Sequence, residues 1–224
     1  SRIFLDRTTA SNQTKVLAKI MSSMFGTKRL PLLIIDNKSV VKNRNSFSAR
    51  GAAILGFSMF GFDVTYALDE EMNLDFDALL SFCEKHRNEN VLLFGFTYII
   101  WEHFFKPLME SGQTLDLGKA ILLHGGGWKK LFEEAVDNSE YKKSLESVCG
   151  IQKVHNYYGM VEQTGSIFIE CESGFLHCSI FSDIIIRRTD FTECAFGETG
   201  IVELLSLLPQ SYPGHIILTE DEGE

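Results

Sequence analysis

The chain has 224 residues, of which 45% are hydrophobic and 18 are Phe, and it carries a formal net charge of −9. A chain of this length and hydrophobicity buries a sizeable core, which excludes global disorder. The acidic balance, with a pI of about 5.2, argues against non-specific binding to nucleic acid. The sequence has no run of about 18 apolar residues and no recognisable signal peptide, which predicts that no helix spans a membrane.

The first two-thirds of the sequence alternate strand-like and helix-like segments. "SRIFL" predicts a strand that enters a helix over about 9–24, with Thr8 or Thr9 as the N-cap. We then predict, in chain order, a strand at 30–36, a helix at 49–61, a strand at 63–68, a helix at about 75–86, a strand at 91–96, a helix at 97–111 and a strand at 119–124. This alternation predicts a mostly parallel sheet with crossover helices.

The hydrophobic pattern of the sequence changes after about residue 165. Short β-rich runs such as "SIFIEC", "DIIIRRT" and "GIVELLSLL" are separated by Gly, Ser and Pro, and no helix-length pattern intervenes. They predict hairpins, a small barrel or a second sheet. The predicted fold class is therefore α/β, with an α/β core over residues 1–165 and a β-rich subdomain over 166–224.

The five cysteines are odd in number and show no Cys-x-x-Cys spacing. Reduced thiols in a cytosolic protein fit this usage better than a disulfide framework or a zinc site. The chain also begins without Met and ends in the polar run "TEDEGE". We interpret it as a fragment of a longer protein.

A glycine-rich loop, "HGGGWKK" (124–130), follows the fourth predicted strand. Ligands of open α/β sheets bind beyond the carboxyl ends of the strands, and consecutive glycines let the backbone approach a flat ligand with its N–H groups free for anions. The loop matches neither the Walker pattern nor G-x-G-x-x-G. The alternative interpretation is a tight strand-to-helix turn with Trp128 packed inward.

A second polar stretch is "HNYYGMVEQTG" (155–165). Tyr offers a face on which a base can stack, Gly159 permits close approach, and Glu162 is a hard oxygen ligand suited to Mg²⁺. The alternative is a partly buried Tyr pair beside a surface Glu.

A third polar stretch is "TED" (219–221), which follows the apolar run "HIIL". A carboxylate just past the end of a strand can accept both hydroxyls of a ribose. The alternative is a solvated acidic tail.

The order of these stretches, "HGGGW", "NYYGMVEQ", "GETG" and "TED", resembles that of the adenylate-forming superfamily. The sequence is more similar still to the acyl-protein synthetase family (LuxE-type). Four segments resemble that family: "SRIFLDR", "LHGGGWKK", "YYGMVEQTG" and "PGHIILTED". The resemblance covers essentially the whole chain and implies the central part of a large N-terminal domain.

The resemblance implies a site for ATP and Mg²⁺. It assigns Tyr158 to stacking on adenine, Glu162 to the catalytic metal ion that bridges the triphosphate, and Asp221 to the ribose. Gly125, Gly126 and Gly127 would line the adenine, with Gly159 beside it. Glu198, in "GETG", matches a turn that is more often structural than catalytic.

Two positions depart from the superfamily pattern. Val161 stands where a Thr or Ser hydroxyl usually contacts the α-phosphate region, so that contact is lost or moved. Glu220 replaces the Gly of a "TGD" segment, which requires that its φ is not positive.

The resemblance also places a phosphate loop before Ser1, and a C-terminal segment with a catalytic Lys and an acyl-accepting Cys after Glu224. We therefore assign no acylated Cys among the five present, and we expect residues 1–224 alone to be inactive.

The implied function is the ATP-dependent activation of a fatty acid to an acyl-adenylate, followed by acyl transfer to a protein thiol. The implied enzyme is bacterial and cytoplasmic, and its implied partner is an acyl-reductase or another acyl-acceptor protein. One alternative is an acyl-CoA ligase resembling phenylacetate–CoA ligase, which uses a soluble thiol. A different alternative is a non-catalytic α/β interaction domain.

Overall fold

A computed structural model describes residues 3–42 and 48–224. The chain divides into two compact units, one formed by Ser1–Thr27 with Tyr158–Glu224 and the other by Lys28–Tyr157. We call them the split unit and the central unit. The domain boundary after residue 165, expected from the sequence, stays a prediction.

Between residues 7 and 125 the elements follow the order that the sequence pattern predicts, whereas the helix at 138–149 was not predicted. The helices are α1 (Arg7–Phe25), α2 (Ala49–Ser58), α3 (Phe76–Lys85), α4 (Thr97–Ile100), α5 (Lys106–Ser111) and α6 (Asn138–Cys149). The strands are β1 (Leu30–Asn37), β2 (Gly61–Leu68), β3 (Val91–Phe96), β4 (Ala120–Gly125), β5 (Lys153–Tyr158), β6 (Phe168–Glu170), β7 (Leu176–His177), β8 (Ser182–Arg187), β9 (Gly200–Ser206) and β10 (Ile216–Gly223).

The central unit is built on a parallel sheet with the strand order β2-β1-β3-β4-β5. Its middle strands are buried on both faces: Leu32 to Ile35 of β1 have no exposed surface. This burial explains why β1 is a continuous apolar run rather than an alternating one. The predicted α/β class with a mostly parallel sheet is confirmed.

The strand order reverses direction between β1 and β3. The chain passes from β1 outward to β2, then returns to β3 and continues to β4 and β5 on the other side. The carboxyl ends of strands beside such a reversal are the usual ligand-binding edge of an open α/β sheet. Here Asn37 ends β1, Phe96 ends β3 and Gly125 ends β4.

The predicted helix over 97–111 is present but irregular. A π-helical segment, Trp101–Phe105, separates α4 from α5. The rings of Trp101 and Phe105 stack with their centroids 4.4 Å apart, and Tyr141 of α6 stacks on Trp101 at 5.7 Å. Aromatic packing therefore joins this helix to α6 in the core of the central unit.

The split unit is rich in antiparallel strands, as the sequence after residue 165 predicts. β6 pairs with β7, while β9 lies between β10 and β8. A small core of Phe168, Val202 and Leu204 packs against Tyr158 and other partly buried side chains.

Helix α1 corrects the prediction at the N-terminus. Its N-cap is Asp6, whose carboxylate accepts a hydrogen bond from the Thr9 N–H at 2.7 Å, so neither Thr8 nor Thr9 is the cap. Ile3 to Leu5 form no strand, and Ser1 and Arg2 lie outside the described residues.

Within the described ranges, no helix combines the length and apolar character that crossing a membrane requires. All five cysteines are free thiols.

Candidate functional site

The glycine loop begins where β4 meets β5. Gly125 pairs with Tyr157 of β5, and a Cβ on Gly125 would lie 2.6 Å from the Tyr157 ring and 2.8 Å from its carbonyl oxygen. No larger residue fits at this point without moving β5. Gly125 is therefore required by strand packing, whatever else it contacts.

The next two glycines are exposed and differ in what they require. Gly126 has φ +79°, a conformation that favours glycine, whereas a Cβ on Gly127 would meet nothing within 4 Å. The loop thus leaves an open approach at Gly127. Its assignment to adenine stays a prediction.

A buried polar pair, which the sequence analysis missed, lies beneath this loop. The Thr97 hydroxyl is 2.9 Å from Nδ1 of His124 and donates to the carbonyl oxygen of Gly125 at 3.2 Å. Because a hydroxyl has one proton, Nδ1–H of His124 donates to Thr97 when Thr97 donates to Gly125. The Thr97–His124 pair holds the start of the loop. The His directly before the glycines is the sequence feature that could have revealed the pair.

Two of the predicted nucleotide contacts meet in the split unit. The Tyr158 hydroxyl donates a hydrogen bond to Oδ2 of Asp221 at 2.5 Å, across 63 positions of sequence. Tyr158 ends β5 and Asp221 lies in β10. The fold therefore brings together the residue expected at adenine and the residue expected at ribose.

The sequence analysis expected Asp221 to lie just past the end of a strand. In the structure it lies inside one. "TED" forms a bulge inside β10: Leu218 pairs with Glu203 and Glu222 with Ile201, so three residues oppose one. The Thr219 hydroxyl closes the bulge by donating to the Val202 carbonyl at 2.9 Å. Bulges re-aim side chains next to active sites, and this one presents an exposed Asp221.

The Tyr158 ring packs on the small core of the split unit. It meets Phe168 edge to face, with the centroids 6.0 Å apart. Burial, and after it the hydrogen bond to Asp221, raises the pKa of Tyr158 well above its usual value of 10. Tyr158 therefore stays protonated at neutral pH and acts as a donor to Asp221.

Glu162 lies in a short 3-10 turn, Val161–Gln163, and is partly exposed. The buried neighbour Gln163 fixes the turn, because its Nε2 donates to the carbonyls of Leu204 at 3.2 Å and Gly214 at 2.9 Å. The sequence analysis missed Gln163. Its place directly after the candidate metal ligand was the available signal.

The remaining candidates take structural positions. A Cβ on Gly159 would lie 3.1 Å from Ile167 Cγ2, so the backbone runs close to the following segment. Val161 is exposed. Glu198 forms a bidentate ion pair with Arg188 and accepts the Ala195 N–H at 3.0 Å, which fits the structural role expected of it.

No cluster of three or more His, Cys, Asp or Glu side chains is arranged to hold a metal ion in the described parts of the chain. Mg²⁺ commonly takes one or two carboxylates together with phosphate oxygens and water. A single carboxylate such as Glu162 is compatible with that mode of binding.

Several solved structures share the fold of this chain. The amide bond synthetase McbA from Marinactinospora thermotolerans is 16% identical with a TM-score of 0.58, covering 95% of this chain and 42% of its own. ATP-bound MatB from Rhodopseudomonas palustris is 11% identical with a TM-score of 0.60, covering 98% and 42%. A long-chain-fatty-acid-CoA ligase, FadD1 from Archaeoglobus fulgidus, is 12% identical with a TM-score of 0.58, covering 87% and 38%.

The TM-scores of 0.58 to 0.60 establish a common fold, and the chain spans about two-fifths of the length of these enzymes. No curated protein matches the sequence significantly. A sequence profile described as "Acyl-protein synthetase, LuxE" matches residues 1–224. The chain therefore belongs to the acyl-protein synthetase (LuxE) family.

Proposed function

We propose that the protein containing this chain activates a fatty acid with ATP and transfers the acyl group to a protein thiol. The observation that carries the proposal is the hydrogen bond between Tyr158 and Asp221, which joins two predicted nucleotide contacts from distant parts of the sequence. Family membership supports the reaction class, and the ATP-bound MatB structures support ATP as the co-substrate.

Asp221 has the chemistry that a ribose needs. A carboxylate has about four lone-pair sites, and Tyr158 occupies one of them on Oδ2. Oδ1 therefore remains available to accept ribose hydroxyls, while Tyr158 holds the carboxylate in one orientation. Charge-assisted bonds of this kind are about twice as strong as neutral ones.

Glu162 would supply one oxygen ligand to Mg²⁺, which when bound neutralises charge on the phosphates. The Gln163 hydrogen bonds hold the turn in place, so the backbone that carries Glu162 is fixed before the nucleotide binds. These residues bind and orient the nucleotide. Correct positioning lowers the barrier to in-line attack by the carboxylate of the acid substrate.

The acyl acceptor is a protein thiol in the preferred proposal and coenzyme A in the alternative. The free thiols favour a reducing compartment such as the bacterial cytoplasm. Incubating the complete protein with a radiolabelled fatty acid, ATP and coenzyme A separates the two. Label that stays on protein after precipitation supports the first, and label that leaves as a coenzyme A thioester supports the second.

The central test is fatty-acid-dependent exchange of radiolabelled pyrophosphate into ATP by the complete protein. Glu162→Gln should lower the exchange rate about 100-fold, the order seen when a group that compensates developing charge is removed. Glu172→Gln, an exposed Glu of the same unit, is the matched control and should exchange like the wild type. Wild-type exchange by Glu162→Gln across a Mg²⁺ titration would contradict the assignment.

A further inference from the structure

Two basic side chains lie at the carboxyl edge of the parallel sheet, beside the reversal in strand order. Arg50 is the second residue of α2, Tyr98 follows β3, and Lys129 follows the glycine loop after β4. The Lys129 ammonium lies 4.7 Å from the centroid of the Tyr98 ring, and the Tyr98 hydroxyl neighbours the Arg50 guanidinium. All three residues belong to the central unit. We call them the basic edge.

A buried carboxylate fixes the orientation of Arg50. Asp36, near the end of β1, has no exposed surface. It accepts hydrogen bonds from Nε of Arg50 at 2.6 Å, from Nη2 of the same guanidinium, and from the Asn37 N–H at 2.6 Å. A carboxylate with three donors is satisfied, so Asp36 serves to hold Arg50 and needs no ligand of its own.

Arg50 keeps donors that Asp36 does not use. A guanidinium has five N–H groups in one plane, and Asp36 takes the side formed by Nε and Nη2. On the side formed by Nη1 and the second N–H of Nη2, the described residues supply no carboxylate or carbonyl acceptor. The Met72 sulfur, a weak acceptor, is 3.4 Å from Nη2. Because the Arg50 side chain is 27% exposed, a second carboxylate can reach this side and accept two parallel hydrogen bonds.

Lys129 adds a second positive charge at the same place. Among the described residues, no carboxylate forms an ion pair with Lys129, and its side chain is held instead over the face of the Tyr98 ring. Lys129 also has φ +49°, which is uncommon for a residue with a side chain. Strained positions of this kind cluster at ligand sites.

The charge of the basic edge determines which ligand suits it. Arg50 and Lys129 carry two positive charges and Asp36 carries one negative charge, which leaves one positive charge in excess within a chain of net charge −9. A local field of this sign attracts an anion, and the edge beside a strand reversal is where open α/β sheets bind ligands. One excess charge balances a single carboxylate rather than a triphosphate.

We propose that Arg50 and Lys129 bind the carboxylate of the acid substrate. The inference rests on the proposed activation of a fatty acid and names the residues that hold its reacting group. Arg50 takes both carboxylate oxygens through its free side, and Lys129 neutralises the charge. The carboxylate is then held in one orientation, which is what positioning contributes to the reaction.

The test measures binding of radiolabelled myristate to the complete protein by equilibrium dialysis, with and without α,β-methylene-ATP, which cannot release pyrophosphate. 1-Tetradecanol has the same chain length and no carboxylate. Wild type should bind myristate at least about tenfold more tightly than tetradecanol, as expected for charge-assisted contacts to the carboxylate.

Lys129→Gln changes an exposed side chain, so it should fold normally and bind myristate about tenfold more weakly. Its affinities for tetradecanol and for the ATP analogue should not change. Lys153→Gln, at an exposed Lys that begins β5 at the opposite edge of the sheet, is the matched control and should bind all three ligands like the wild type.

Arg50→Gln is combined with Asp36→Asn, because removing Arg50 alone leaves a buried charge without its partner. The double variant should lose the preference for myristate over tetradecanol, and a thermal melt checks that it is folded. If it does not fold, the comparison between Lys129→Gln and Lys153→Gln decides the proposal.

The outcomes separate this site from the proposed function. A wild type that binds myristate and tetradecanol alike, or a wild-type preference in Lys129→Gln, overturns the carboxylate site. Weaker binding of the ATP analogue by Lys129→Gln, with myristate unchanged, also overturns it and identifies the anion as a phosphate. Myristate binding that depends on Lys129, in a protein that exchanges pyrophosphate with no acid, supports the site and overturns the proposed activation.

Discussion

Asp221 contacts a protein donor while it is expected to hold a ligand. Its Oδ2 accepts from Tyr158, and its backbone N–H donates to the Thr219 hydroxyl at 3.1 Å inside the bulge. Backbone and side chain are therefore both fixed. A carboxylate held in this way loses little further freedom when it binds a ribose, which favours affinity.

Replacing Asp221 with Ala should weaken nucleotide binding selectively. Two charge-assisted hydrogen bonds are worth roughly 1.5–3 kcal/mol each, so the apparent Kd for ATP should rise about tenfold or more. Glu220→Ala changes an exposed neighbour in the same bulge and should bind ATP like the wild type. Isothermal titration of the complete protein measures both.

A sharper comparison uses 2′,3′-dideoxy-ATP. Wild type should discriminate against the analogue, whereas Asp221→Ala should not. Tyr158→Phe keeps the ring but frees the carboxylate, so its loss of ATP affinity should be smaller than that of Asp221→Ala. If wild type and Asp221→Ala bind ATP and the analogue equally, Asp221 does not hold the ribose.

Cys171 is chemically distinct from Cys83 and Cys149. Hydrogen bonds from the Phe175 backbone, followed by smaller effects of the Ser173 backbone and the His177 ring, lower the pKa of Cys171 to about 7. Burial instead raises the pKa of Cys83 to about 11 and that of Cys149 to about 12. The thiolate is the reactive form, so these cysteines should differ in reactivity.

The rate of Cys171 alkylation by iodoacetamide should rise with pH and reach half its maximum near pH 7. Cys83 and Cys149 should react slowly up to pH 9. Peptide mass spectrometry after timed alkylation assigns each site, and Cys171→Ser removes the fast phase. His177→Gln should move the midpoint to higher pH. A fast phase that survives in Cys171→Ser would contradict the assignment.

At the scale of elements, the 3-10 turn that carries Glu162 depends on Gln163. Gln163→Leu keeps the approximate volume and removes both hydrogen bonds to the carbonyls of Leu204 and Gly214. The free energy of unfolding should fall by about 2–4 kcal/mol, measured by urea denaturation. Gln152→Leu, at an exposed Gln, should change it by less than about 0.5 kcal/mol. Equal effects of the two substitutions would mean that Gln163 does not anchor the turn.

The local sequence pattern was sufficient to predict most elements of the central unit. β3 has the predicted bounds, because its apolar run is framed by polar residues on both sides. Helix α2 ends at Ser58, before the predicted residue 61, because Gly61 already belongs to β2. A Cβ on Gly61 would lie 2.3 Å from Leu32 Cβ, a tertiary contact that the local sequence does not show.

The errors in the split unit arise from competing or distant signals. "FLDRTTA" offers both Asp and Thr as N-caps, and the earlier Asp6 is the one that caps α1. The bulge at "TED" depends on how β10 pairs with β9, which pattern alone does not reveal. The order of polar motifs singled out Tyr158 and Asp221, whose roles at a nucleotide stay predictions, and the fold adds the hydrogen bond between their side chains.

At the scale of the molecule, no sequence pattern indicated that α1 contacts the segment between β9 and β10. Gln13 donates to the Tyr212 hydroxyl at 3.0 Å across 199 positions, and the Asp6 N–H donates to the Ser211 hydroxyl across 205. Helical periodicity identifies the buried face of α1 but not its partner. Contacts this distant also have a high entropic cost of closure before they form.

The dependence of stability on pH follows from paired surface carboxylates. The Asp63 carboxylate lies 2.5 Å from the Lys85 ammonium and 2.8 Å from the His86 ring. Lys85, and after it His86, lower the pKa of Asp63 below its usual value of 3.8. The pKa values of Asp6, Asp190 and Glu198 are lowered as well. Such groups bind protons less readily when folded, so their contribution is complete above about pH 4 and is lost as the pH falls through the folded pKa.

Asp63→Asn should therefore unfold at a lower urea concentration than the wild type at pH 7, and the difference should shrink as the pH falls toward 3. Once Asp63 is protonated in the wild type, both proteins carry a neutral side chain at position 63. Their free energies of unfolding therefore converge at acidic pH. Asp77→Asn, an exposed Asp at the start of α3, should run parallel to the wild type. A difference between wild type and Asp63→Asn that is the same at pH 3 and pH 7 would show that the substitution acts through packing rather than through charge.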